Sequence, residues 1–182
     1  MQEFYCPICR KVHDNIPYTC ECGYYEDKKR DYDDEKKYLF AIYKFSKMIF
    51  NKQIEWKQSK CRLAKSGESV TIQEIIENTV VSYVDLDIKE KQYVDYGVLA
   101  HNRRVESLII NADSLSHEML DESDVQMLFL GEKVSDLTGF INVRLKYIEV
   151  SKNNKYFTAK NNVLFNKDMT RLIYDFSLKP DE

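Results

Sequence analysis

The chain has 182 residues, 43% of them apolar, with 27 Lys and Arg against 30 Asp and Glu for a formal net charge of -3. This allows one ordinary core plus a small module, and it excludes both a disordered polyelectrolyte and a chain drawn to nucleic acid by net charge alone. No apolar run reaches 18 residues, and Glu3, Cys6, Pro7 and Cys9 break any signal-peptide core, so a cytoplasmic location with no membrane association is expected.

The charge is unevenly spread. Residues 1–34 carry 5 basic and 8 acidic side chains, 35–66 carry 9 and 2, and 67–182 carry 13 and 20. A basic stretch therefore stands between two acidic ones, either as a helix docked on an acidic body or as a surface for phosphates.

Near the start, Cys6-Pro7-Ile8-Cys9 and Cys20-Glu21-Cys22-Gly23 form two close cysteine pairs ten residues apart. In a reducing compartment, paired thiols at hairpin spacing are read as metal ligands before disulfides. The pattern resembles a zinc ribbon over about the first 25 residues. It departs from the usual knuckle in having Arg10 in place of the first glycine and a second pair one residue short. The resemblance implies one structural Zn2+ per chain, held by Cys6, Cys9, Cys20 and Cys22, with His13 in reserve.

After a charged connection, residues 35–59 contain neither Gly nor Pro and place Tyr38, Ile42, Phe45, Ile49 and Trp56 on one stripe, which predicts an amphipathic helix. Its polar face carries Lys37, Lys44, Lys47 and Lys52. An apolar stripe this broad is expected to cover a core, as a cap on the chain that follows, rather than to lie on a membrane. Cys61, just beyond, is expected to be a packed thiol. Residues 65–82 suggest strands, with one helical turn as an alternative at 73–77.

Three segments then recur every 20 residues: Val105-x-x-Leu108-x-Ile110, Val125-x-x-Leu128-x-Leu130 and Leu145-x-x-Ile148-x-Val150, with a looser copy at Tyr83-x-x-Leu86-x-Ile88. A period this short suggests one strand and one return per unit, stacked in parallel. Val98, Leu99, Leu115, Met119, Leu120, Val134 and Leu137 are the expected inward anchors of the returns, and Gly97, Gly131 and Gly139 fall where positive φ is often needed. Farther on, Asn161-Asn162 and Lys167-Asp168 are turn pairs between the β-rich runs Phe157-Thr158-Ala159, Val163-Leu164-Phe165 and Leu172-Ile173-x-Tyr174.

Residues 145–174 resemble the recurring unit of BspA-type leucine-rich repeat proteins, and 83–144 share the period. Asn161-Asn162 replaces the usual Asp-Gly, and Pro180 comes late. The expected fold is α+β: a small N-terminal zinc ribbon (1–26), one long amphipathic capping helix (34–60), and a short leucine-rich-repeat β-solenoid with parallel strands (65–182).

Alternation within the repeats puts Ile109, Met127, Phe129 and Tyr147 on the outward face. If open, that face is a patch for another protein; otherwise the helix or a neighbouring subunit covers it. The last strand edge is a second place for self-association. The sequence contains no phosphate loop, dinucleotide fingerprint, H-E-x-x-H or nucleophile elbow, and only three histidines. The expected function is a non-catalytic protein–protein interaction module, not an enzyme. The alternative is a nucleic-acid-binding or regulatory protein that uses the ribbon and Lys37, Lys44, Lys47 and Lys52.

Overall fold

A computed structural model describes residues 4–5, 12–13, 32–76, 80–86, 89–95, 97–99, 105–120, 123–137 and 145–176. The chain divides into two compact units, Met1–Trp56 and Lys57–Glu182.

In the first unit, β1 (Phe4–Tyr5) pairs antiparallel with β2 (Val12–His13), Tyr5 standing opposite Val12. Cys6, Cys9, Cys20 and Cys22 lie outside the described residues. The helix α1 runs Tyr32–Phe50 and buries Leu39, Ile42, Phe45 and Ile49 at the spacing of one helical face. It stops well short of residue 59. Lys52 takes a left-handed conformation (φ 57°), Gln53 N–H donates to Met48 O at 2.8 Å, and Lys52 N–H donates to Ile49 O at 2.9 Å. That pair of bonds is a Schellman closure, here without the usual glycine. Trp56 still belongs to the apolar stripe, because beyond the helix its ring meets Phe45 edge-on, centroids 5.0 Å apart.

The second unit is built almost entirely of strands. β3 (Cys61–Ser66) and β4 (Ser69–Ile75) form a hairpin around Gly67, whose φ of 59° suits the turn. Next come β5 (Val81–Asp85), β6 (Lys91–Val94), β7 (Ser107–Asn111), β8 (Ser114–Leu115) and a short 3-10 turn at His117–Leu120. They are followed by β9 (Met127–Leu130), β10 (Tyr147–Val150), β11 (Phe157–Lys160), β12 (Val163–Asn166) and β13 (Leu172–Asp175).

These strands make three sheets: a parallel one ordered β10-β9-β7-β5, a mixed one ordered β3-β4-β6-β8, and an antiparallel one ordered β11-β12-β13. The expectation of an α+β chain with a leucine-rich-repeat solenoid is therefore corrected. The described chain is mostly strand, in parallel, mixed and antiparallel sheets, with a single α-helix. The β-branched run at 69–75 is strand as far as Ile75, in the stretch that left a helical turn open, and the turn pairs after residue 150 fold the chain into hairpins.

The 20-residue interval does appear in the register, since Ser107, Met127 and Tyr147 stand opposite one another on adjacent strands. The looser copy was placed wrongly: Ser82, not Leu86, lies beside Leu108, and Val84 lies beside Ile110. Leu108, Ile110, Leu128, Leu130 and Ile148 share one core with Ile72, Val94, Val98, Leu99, Leu115, Met119, Val134 and Leu164.

Both edges of the parallel sheet are occupied. On β5, Ser59 N–H donates to Tyr83 O at 2.7 Å and Tyr83 N–H to Ser59 Oγ at 3.2 Å. On β10, Ile148 N–H donates to Asn162 Oδ1 at 3.0 Å, and Asn162 Nδ2 donates to Lys146 O. Covering edges in this way blocks open-ended strand addition.

Candidate interaction surfaces

The outward patch expected at Ile109, Met127, Phe129 and Tyr147 is not open. The first three are buried, Phe129 with 0% of its surface exposed, and Tyr147 is half-buried. The sequence carried a signal for this. Leu108-Ile109-Ile110 and Met127-Leu128-Phe129-Leu130 are continuous apolar runs, which parallel strands show when both sheet faces leave water. Each of these side chains contributes roughly 1.5–3 kcal/mol by burial. Ile109, Met127 and Phe129 are thus covered in the folded chain, and Tyr147 in part.

The ends of the parallel strands carry a polar network. Asn111 Nδ2 donates to Asp85 Oδ1 at 3.2 Å, and Asn111 Oδ1 accepts Lys133 N–H at 2.8 Å. Lys133 Nζ donates to Asp85 Oδ1 at 3.3 Å and to Leu86 O at 2.6 Å. Gly131 allows this approach, because a methyl group there would overlap the Asn111 side chain. Its glycine therefore answers to space, not to the positive φ expected from the sequence. Tyr83 O–H donates to Asp85 Oδ2 at 3.3 Å. Burial first, then the Asp85 charge and this bond, hold the Tyr83 phenol above its usual range. Every group in the network is met by another, as strand ends require.

The antiparallel sheet presents a different surface. Asn161 (φ 52°) and Asn162 (φ 64°) close the β11–β12 hairpin as a two-residue left-handed turn. Asn166, Asp168 and Thr170 knit the β12–β13 turn, with Asn166 Oδ1 accepting Arg171 N–H at 2.7 Å and Thr170 Oγ1 donating to Asp168 Oδ1 at 2.7 Å. Phe157, Ala159, Leu164 and Tyr174 turn toward the core. Cross-strand partners share a face, so Thr158, Phe165 and Leu172 form the other one, and alternation adds Tyr156 and Val163. Leu172 is 54% and Tyr156 52% exposed, and Met169, at φ 58° in the adjoining turn, is exposed as well. The Asn-Asn turn was legible in sequence, but alternation alone would have put Leu172 with Tyr174; a register shift opposite Leu164 and Phe165 sends Ile173 and Tyr174 to the core and leaves Leu172 on the outer face.

On α1, Lys44 and Lys47 are exposed, Lys52 is exposed just past its end, and Lys37 lies on the helix with its side chain outside the described set. Lys44 Nζ stands 4.8 Å from the Phe40 ring centroid, and Lys47 Nζ is 5.5 Å from that of Tyr43, donating to its hydroxyl at 3.3 Å. Sequence reading took Phe40 for neither core nor site; it is 55% exposed.

Cys61 is a half-buried thiol, in no disulfide, that donates to Ser59 O at 3.6 Å and packs against the core. Among the described residues, no group of three His, Cys, Asp or Glu side chains is gathered as metal ligands require, and no helix is long and apolar enough to cross a membrane. Comparison with known proteins finds no matching family model, no matching curated protein and no matching solved structure.

Proposed function

We infer that this chain is a non-catalytic module that binds another protein through the outer face of its C-terminal antiparallel sheet. One observation carries this reading. Tyr156, Met169 and Leu172, three large apolar side chains each about half exposed, cluster on and beside one small sheet whose other face is anchored in the core. Single exposed apolar residues are ordinary, but several on one rigid face make a contact surface. The sheet is pinned by Asn154 and Asn162, so the face is preorganised and loses little entropy on binding.

A structural zinc in the N-terminal unit belongs to the same proposal. It is supported by the two cysteine pairs and by the Tyr5–Val12 pairing that brackets the first of them. Zinc there would fold the ribbon and perform no chemistry.

The test is affinity capture from the native cell with the full chain and two variants. A specific partner should be retained by wild type and by Leu63→Glu on the exposed strand β3, and lost with Leu172→Glu. Loss with both variants, or with neither, would refute the assignment of this face.

A further inference from the structure

We propose that the outer face of helix α1 is a binding site for single-stranded nucleic acid, with lysines meeting phosphates and Phe40 stacking on a base. The helix contains no carboxylate between Lys36 and Phe50, its three acids being confined to Asp33, Asp34 and Glu35 at the start. Lys36, Phe40, Tyr43, Lys44 and Lys47 recur at intervals of three and four and so line one side, while Leu39, Ile42, Phe45 and Ile49 are buried on the other. Lys36, Lys44 and Lys47 are exposed. At about 1.5 Å per residue they span roughly 16 Å, room for a short run of phosphates.

Exposed Phe40 decides among polyanions. A phenyl ring more than half in water, with Lys44 Nζ 4.8 Å from its centroid, offers the stacking platform and adjoining cation that unpaired bases use. A duplex hides its base faces and would have no use for the ring. An anionic membrane would take up an apolar helix face, but here that face is already buried and Phe40 alone is too little apolar area to insert. An acidic protein would pair with the lysines and leave the ring idle.

The experiment is fluorescence anisotropy of a labelled oligothymidylate titrated with the full chain at several salt concentrations. Three phosphate contacts predict a slope of log affinity on log salt near about -2, at roughly -0.7 per phosphate. Lys44→Glu with Lys47→Glu should weaken binding at least about tenfold and flatten the slope to roughly -0.7. Phe40→Ala should weaken it about 5-fold or more with the slope unchanged. All three side chains are exposed, so circular dichroism should show the fold intact, and the wild-type slope is a test independent of any variant. No saturable binding at low salt, a flat salt dependence, or affinity indifferent to these changes would overturn the proposal. Equal affinity for duplex, for polyglutamate or for anionic phosphatidylserine vesicles would also overturn it.

Discussion

Asn154 accepts Tyr156 and Phe157 N–H through Oδ1, each at 2.8 Å, and donates through Nδ2 to Gly131 O at 2.9 Å and Val134 O at 2.8 Å. It is buried, so Asn154→Ala would orphan two donors and two acceptors, a loss expected to cost about 3 kcal/mol and readable by urea unfolding. Asn154→Asp should also destabilise, since a carboxylate cannot donate to the two carbonyls. Gly131→Ala should destabilise by about 2 kcal/mol through overlap with Asn111, and Asn111→Gly should relieve part of that loss in the double variant. Purely additive losses would refute that reading.

Asp168 offers a readout in pH. The Thr170 hydroxyl, then its N–H, hydrogen-bond the carboxylate and hold Asp168 below the usual Asp range. A depressed carboxyl stabilises the fold above its unfolded pKa, and that contribution is lost as pH falls through the folded value. A carboxyl-carbon NMR titration should find Asp168 titrating low, and Thr170→Val should move it upward; an unchanged midpoint would contradict the assignment.

Among the elements, the parallel sheet shows what sequence could and could not reveal. The interval between Leu108, Leu128 and Ile148 was legible, because the same apolar types return at the same register position. Whether the face of Ile109 and Phe129 is open or covered was left undecided by the period; both are buried, as continuous apolar runs that do not alternate require. Phe129→Ala should therefore cost about 3–5 kcal/mol of stability. If Phe129→Ala left stability unchanged and instead removed partner binding, the buried assignment would be wrong. The helix end was illegible for another reason. Nothing in the composition of residues 50–56 announces a stop, and the closure uses Lys52 where glycine is usual. Trp56 kept the stripe going in sequence because its ring returns to Phe45 from outside the helix.

At the scale of the molecule, the chain comprises two compact units with different chemistry: cysteine pairs and a lysine-rich helix in Met1–Trp56, and a strand-built core in Lys57–Glu182. The zinc proposal predicts about one zinc per chain by metal analysis, lost in the Cys6→Ser, Cys9→Ser variant while the strand core still unfolds cooperatively. The solenoid drawn from the repeats did not hold because the strands at 61–75 and 157–175 form antiparallel hairpins, the first of which joins a mixed sheet through β4 and β6.

The central claim is that the C-terminal sheet face meets a protein partner. Its most direct test is site-specific photocrosslinking in the native cell, with a benzophenone amino acid placed at Leu172 or, as an exposed control elsewhere, at Leu63. A discrete protein adduct from position 172 and none from position 63 is the predicted result. No adduct from 172, or the same adducts from both positions, would contradict it.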